Sequence, residues 1–182
     1  MDSLPPAEIP PRYLPQRPFP AYSYVPGQWP HPISDPRGHS FGHRDSAAAA
    51  LNPNQWQDSV EYLWGLDLFN HGYYWEAHES WEAVWKAPRS QFAVATFLKG
   101  LIKLAAAGVK AREGNSVGVQ RHASRGVELL ASVESAGSNF CGLNLTSLKK
   151  HAGEISRLSG ELAIRDHSSV KPVFRFFLVL AP

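Results

Sequence analysis

The chain has 182 residues, of which 43% are hydrophobic and 19% charged, with a net charge of +2 and a single cysteine. This length supports one ordinary hydrophobic core, and the single cysteine excludes an intrachain disulfide framework and a cysteine-rich zinc site. The lysines and arginines form no basic run, so we expect neither a nucleic-acid partner nor an anionic membrane. The longest apolar stretch is interrupted by Lys99 and Lys103, and no signal peptide is recognisable, which together predict a cytoplasmic protein without a transmembrane helix.

The N-terminal region is rich in proline, because 11 of the 15 prolines fall within residues 1–36. Proline lacks an amide donor and fixes φ, so neither a helix nor a central strand is expected there. Aromatic residues alternate with the prolines, which is unlike a disordered tail. We predict that residues 1–51 form an extended arm that packs on the core, with a mobile tail as the alternative. The core is expected at residues 52–160, followed by an extended tail at 161–182.

Helix start and stop signals predict five helices, in chain order at residues 52–70, 73–86, 91–112, 115–133 and 145–158. Asn52 and Gln55 fit a capping box at the first start, while Gly72 and Gly114 fit left-handed helix ends. The third helix is apolar around most of its circumference and should be central. The connections are short, so the sequence predicts an all-α fold, an up-and-down bundle or array of about five helices with a proline-rich arm. Residues 173–180 fit either a short strand or an extended segment.

The second predicted helix, with the sequence YYWEAHESWEAVWK at residues 73–86, is the most informative segment. At 100° per residue, three aromatic side chains share a face with His78 and Glu82. Glu79 borders this face, and Glu76 is expected on the solvent side. Since a carboxylate that faces a core is costly unless it is compensated, Glu82 would need a metal ion, a lysine or arginine, or the charged form of His78.

A metal ion is the first of these alternatives. His78 and Glu82 are four residues apart and can bind one ion from one helix, with Glu79 as a third ligand or as a base acting on bound water. Further ligands would have to come from other parts of the chain, for which the candidates are Asp67, His122 and His39.

An ion-pair network is the second alternative. Lys99 and Lys103 lie one turn apart on the third predicted helix and could neutralise Glu79 and Glu82 without a metal. The protein would then be a non-catalytic helical interaction module whose Glu, His and Lys side chains form a buried hydrogen-bond network.

The arm contains a further polar cluster, with four residues at spacings of four: His31, Asp35, His39 and His43. The prolines prevent a helix here, and residues 35–38 fit a tight turn instead. This segment could fold as a lid over the face of the second helix that carries Trp81 and Trp85.

The second helix and its N-terminal flank carry the motif F-N-x-G-x-Y-W-E-A-H-E-x-x-E-x-x-W at residues 69–85, which resembles the signature of domain-of-unknown-function family 309. A second motif, F-L-x-G-L-I-x-L-A-A at residues 97–106, follows in the expected order, and the resemblance covers about residues 56–135. It implies an all-helical domain in a bacterial-type family catalogued as predicted metal-dependent hydrolases, whose characteristic polar residues correspond to Glu76, His78, Glu79 and Glu82. Family members often have glutamine where this chain has Lys99 and Lys103.

Together, the residues and the resemblance predict a metal-binding helical protein. If it is an enzyme, we expect it to hydrolyse a substrate that the sequence does not identify. The expected cofactor is a divalent ion, zinc, manganese or iron. Glu79 or Glu76 would accept the proton of bound water. The metal ligands are expected among His78, Glu79, Glu82, His122, Asp67 and His39. The expected partner is a small molecule or a protein, with a homodimer as an option.

Overall fold

The computed structural model describes residues 10–43, 48–87, 91–133 and 137–181. Over these residues the fold is mostly helical, with a 3₁₀ helix at Trp56–Asp58 and one two-stranded antiparallel ribbon formed by β1 (Asn139–Phe140) and β2 (Leu143–Asn144). The α-helices are α1 (Val60–Asn70), α2 (Tyr74–Trp85), α3 (Phe92–Glu113), α4 (Ser116–Ala131), α5 (Leu145–Arg157) and α6 (Ser159–Leu162). The predicted all-α class is therefore confirmed.

The predicted ends of the first and third helices agree with the structure, whereas the predicted start of the first helix does not. Gly72 and Gly114 adopt φ values of +86° and +77° and end α1 and α3, because glycine adopts the left-handed conformation without strain. The first helix was expected from residue 52, but α1 begins at Val60. Asn52 instead accepts a hydrogen bond from the backbone of Asn54 and donates one to the Gln55 side chain, a local turn that competes with the helix.

The helices pack on their neighbours in sequence, with α3 between α2 and α4, α1 against α2, and α5 against α4. The central position of α3 matches its apolar circumference. α3 is also long and apolar enough to pass a length-and-hydropathy test for a membrane span, although 61% of the tested window is buried inside the protein. Core helices pass the same test, so this finding is weak evidence for a membrane.

The N-terminal segment, defined here as residues 10–43, contains neither helix nor strand and lies against α1 and α2. The Phe19 ring packs on Trp64 and Tyr73 with ring centroids 5.4 and 4.8 Å away, while the Arg12 guanidinium covers the Phe19 ring. The first nine residues of the predicted arm, and residues 44–47, lie outside the described residues. The division of the chain at residues 52 and 160 stays a prediction.

The C-terminal segment after α6 is extended, and several of its backbone groups are hydrogen-bonded to side chains of α1 and α2. Asn70 donates to the Leu178 carbonyl and accepts from the Leu178 amide, at 2.9 and 2.8 Å. The Tyr74 hydroxyl accepts from the Val173 amide at 2.8 Å. Of the two options for residues 173–180, the structure has the extended segment. The short helix α6 was not predicted.

Candidate functional site

The buried face of α2 is rotated relative to the predicted one. It is formed by Tyr74, Ala77, Trp81 and Val84, and the Trp81 indole donates to the Tyr62 carbonyl at 3.2 Å. Trp85, His78 and Glu82, which were expected on this face, are only half-buried. The predicted core position of Glu82 is therefore wrong, and its carboxylate needs no buried counter-charge.

The predicted lysine network is also absent from the described residues. Glu82 Oε2 lies 2.8 Å from the ammonium of Lys86, the residue that follows α2, and the Glu82 side chain is 29% exposed. Lys99 lies over the Trp85 ring, with its nitrogen 4.7 Å from the ring centroid. Within the described ranges, no ion pair joins Lys99 or Lys103 to Glu79 or Glu82. Lys86 pairs with Glu82 in place of the α3 lysines, because a spacing of four residues at the end of α2 already places the two charges together.

Three of the predicted ligands do come together on α2. His78, Glu79 and Glu82 each offer one ligand atom, and these atoms lie within 4.8 Å of one another. His78 Nδ1 is 3.2 Å from Glu79 Oε1, and all three residues are half-buried. This set, called the α2 group below, supplies one imidazole and two carboxylates, a donor set that zinc, manganese and iron accept.

Glu76 lies in a place that the sequence did not predict. It was expected on the solvent side, yet it is only 6% exposed because the N-terminal segment covers it. Its Oε1 accepts a hydrogen bond from the Tyr24 amide at 2.8 Å and lies 3.0 Å from His39 Nε2. Its Oε2 is buried and has no hydrogen-bond partner in the described part of the chain.

Asp67 on α1 binds the same segment at a second point. Its two carboxylate oxygens accept hydrogen bonds from the amides of Tyr13 and Leu14, both at 2.8 Å. The Arg12 Nε atom lies 3.8 Å from Asp67 Oδ2. Neither Asp67 nor His39 is part of the α2 group, and each instead connects the N-terminal segment to a helix.

His122 on α4 is not part of the α2 group either, but it lies near enough to interact electrostatically with His78. Burial, together with the positive charges of Lys103, Lys110 and Arg121, lowers the pKa of His122 to about 4. His122 is therefore neutral at pH 7, the form in which an imidazole binds a metal.

The polar residues of the N-terminal segment do not converge. The predicted turn is present, since the Gly38 amide donates to the Asp35 carbonyl at 2.8 Å. The His31 ring packs edge-on against Trp75, His43 is exposed, and only His39 reaches a carboxylate of α2. The segment therefore lies over the Glu76 side of α2, and the predicted lid over Trp81 and Trp85 is wrong.

A cavity of about 590 Å³ lies between the N-terminal segment and helices α1 and α2. We call it the segment cavity. The sequence did not predict this cavity, because one of its walls comes from the N-terminal segment. The only local indication was the three-residue spacing of Glu76 and Glu79, which puts both side chains on adjoining parts of α2. Its polar and aromatic lining includes Arg17, Phe19, His39, Glu61, Trp64, Trp75, Glu76 and Glu79.

Comparison with known proteins shows a similarity to a protein family but assigns no activity. Residues 62–122 match the family model described as "Domain of unknown function (DUF309)", a range that runs from α1 into α4 and contains all of α2. No curated protein and no solved structure matches the chain. The chain is thus similar to the DUF309 family over residues 62–122, as the motif at residues 69–85 predicted.

Proposed function

We propose that the protein binds one divalent metal ion through His78, Glu79 and Glu82. The observation that carries this proposal is the approach of their ligand atoms to within 4.8 Å on adjoining turns of α2. Two carboxylates this close repel each other, and a divalent ion compensates both charges at once. In the structure the Lys86 ammonium lies 2.8 Å from Glu82 Oε2 and compensates that carboxylate, and His78 Nδ1 lies 3.2 Å from Glu79 Oε1.

The burial of the α2 group supports an accessible site rather than a closed structural one. All three side chains are half-buried, so a hydrated ion can reach them and keep coordination positions open to solvent or substrate. His122, neutral at pH 7, is the best candidate for a further ligand from another helix. Asp67 and His39 are less suitable, because they already hold the N-terminal segment.

Hydrolysis is the reaction class that we propose for this site. A bound divalent ion lowers the pKa of water and so supplies a nucleophile at neutral pH. Glu79 belongs to the α2 group and also lines the segment cavity, so it would lie between a metal bound to the group and a substrate held in the cavity. Glu79 is thus our first candidate for the proton acceptor, through the carboxylate oxygen that does not bind the ion, and Glu76, which lines the same cavity, is the second.

Calorimetric titration of chelator-treated protein with Zn²⁺ and Mn²⁺ tests the proposal. We expect one site per chain in the wild type, loss of that site in His78→Ala, and no loss in His167→Ala, which removes an exposed histidine outside the group. Equal binding by wild type and His78→Ala, or no binding by either, would contradict the proposal. The non-catalytic module would then be favoured, with an ion pair between Glu82 and Lys86 and a hydrogen bond between Glu79 and His78.

A further inference from the structure

We propose that the C-terminal strap, defined here as residues 165–172, holds one wall of the segment cavity in place, so that residues 23–39 leave the helices only together with the strap. This inference requires neither a bound metal nor a ligand in the cavity. It rests on a direct contact between the two segments, on two buried side chains of opposite charge, and on two close approaches of the strap to helix ends.

The N-terminal segment and the strap contact each other directly. The Ser23 amide donates a hydrogen bond to the Ser169 carbonyl at 2.8 Å, and Ser23 is only 1% exposed. The next amide along the chain, that of Tyr24, donates to Glu76 Oε1 at 2.8 Å. Two consecutive residues are therefore held from two sides, one by the strap and one by α2, and the first of these bonds is lost if the strap moves away.

Arg112 on α3 holds the strap from the other side. Its side chain is fully buried, and its Nη2 atom donates to the Ser168 carbonyl. The backbone carbonyl of Arg112 accepts from the Asp166 amide at 3.2 Å, and the Asp166 carboxylate lies 3.6 Å from Nη2. Among the described residues, no hydrogen bond joins Arg112 to the N-terminal segment, so its direct contacts of this kind are with the strap.

Glu76 and Arg112 connect the two sides through the interior. Glu76 Oε2 and Arg112 Nε and Nη1 are buried without a hydrogen-bond partner in the described part of the chain, and the two side chains interact electrostatically. Since an uncompensated buried charge is costly, loss of Arg112 favours movement of Glu76 toward water and away from the Tyr24 amide. The contacts thus form a closed series, from α2 through residues 23–24 and the strap to α3 and back, and we expect its members to open as one unit.

Two glycines let the strap lie directly on helix ends. A Cβ atom at Gly72 would lie 2.6 Å from the Pro172 nitrogen, and a Cβ atom at Gly114 would lie 3.2 Å from the Arg165 nitrogen. Gly72 follows the end of α1, and Gly114 follows the end of α3. The strap is therefore fixed near both of its ends and does not depend on the contact at Ser169 alone.

Release of residues 23–39 would open the segment cavity. His39 lines the cavity and contacts Glu76, and Tyr24 packs edge-on against Trp75, another lining residue, with 5.3 Å between the ring centroids. Asp67 binds an earlier part of the N-terminal segment, which lies outside the closed series. The strap is thus expected to control the wall near Tyr24 and His39 and to leave the attachment at Asp67 intact.

Hydrogen exchange of metal-free Arg112→Met, followed by NMR, tests the proposal. The substitution removes no direct contact of the Ser23 or Tyr24 amide. We nevertheless expect both amides to exchange about tenfold faster or more, because the series that holds them is broken. The Tyr13 amide, which Asp67 binds, should exchange as in the wild type.

Lys110→Met is the matched control, because it removes a positive charge of α3 that pairs with Glu113 and not with the strap. It should leave the exchange of both amides unchanged. Asp166→Asn is the second variant, since the Asp166 carboxylate accepts from the Ser168 amide at 3.0 Å and belongs to the strap itself. It should accelerate the same two amides. If Arg112→Met accelerates exchange throughout α3, that variant is destabilised as a whole and Asp166→Asn decides by the same criterion.

Three results would overturn the proposal. The first is unchanged exchange at Ser23 and Tyr24 in Asp166→Asn, whatever Arg112→Met does, because the strap then does not hold the wall. The second is equal acceleration in Lys110→Met. The third is equal acceleration at Tyr13 and Tyr24, which would mean that the N-terminal segment detaches as a whole. The measurements use metal-free protein, so their outcome is independent of the metal proposal.

Discussion

His39 and Glu76, which are 37 residues apart in the chain, meet with His39 Nε2 3.0 Å from Glu76 Oε1. Both side chains are largely buried, at 11% and 6% exposure. The same oxygen accepts a hydrogen bond from the Tyr24 amide, so one carboxylate of α2 contacts the N-terminal segment at two residues, Tyr24 and His39. Asp67 on α1 binds the same segment at a third position, the Tyr13 amide. Together these contacts fix the part of the segment that forms one wall of the segment cavity.

The attachment at Asp67 predicts a large effect of Asp67→Ala on stability. The change removes two hydrogen bonds to a carboxylate that is 1% exposed, so we expect the free energy of unfolding to fall by about 2 to 4 kcal/mol, measured by urea unfolding. Hydrogen exchange should show faster exchange at the Tyr13 and Leu14 amides, while the Tyr24 amide, held by Glu76, stays protected.

Asp58→Ala is the matched control, because Asp58 is exposed in the 3₁₀ helix and its loss should change stability by less than about 0.5 kcal/mol. Equal, small losses in both variants would show that Asp67 does not hold the segment.

The low pKa of His122 predicts a specific pH dependence. Burial and neighbouring positive charges lower this pKa from 6.5 to about 4 in the folded protein, so the unfolded chain binds a proton at a pH where the folded one does not. The free energy of unfolding should therefore fall as the pH decreases from about 6.5 to about 4, with a slope of at most about 1.4 kcal/mol per pH unit from this residue. Above that range the contribution is constant.

Urea unfolding of chelator-treated protein between pH 4 and pH 8 checks this, with His122→Gln as the comparison. The variant should show a shallower dependence over the same interval. Parallel curves for the two proteins would mean that His122 titrates normally in the fold.

Cys141 should be unreactive in the native protein. Its side chain is buried, and burial raises the pKa of its thiol to about 12, so almost no thiolate is present at pH 8. We expect a chromogenic disulfide reagent to label one thiol per chain in concentrated urea and to label native protein only at the rate of unfolding. Rapid labelling without denaturant would show that Cys141 is not buried in the native protein.

The parts of the fold that were predicted correctly depend on local signals. Gly72 and Gly114 end their helices through their own backbone conformation, and Asn115 caps α4 through a bond to the Gly118 amide three residues away. The orientation of Glu76 could not be predicted in this way. Its burial comes from Tyr24 and His39, residues distant in the chain, and a helical wheel contains no information about them.

The same distinction applies to the candidate site. His78, Glu79 and Glu82 come together because of their spacing along one helix, so the sequence alone was enough to predict this group. The expected contacts from Lys99 and Lys103 depended on how α3 packs against α2, and the structure has Lys99 over Trp85 instead. The segment cavity needs the positions of three separate elements, which no local pattern provides.

The central claim is that the α2 group binds a metal, and elemental analysis by mass spectrometry tests it most directly. Wild type, His78→Ala, Glu82→Gln and His167→Ala are purified without added metal, and a second portion of each is loaded with Zn²⁺ and passed through a desalting column. The account predicts close to one ion per chain in wild type and His167→Ala, less in Glu82→Gln, and only background in His78→Ala. Metal content in the wild type no higher than in His78→Ala, before and after loading, would contradict it.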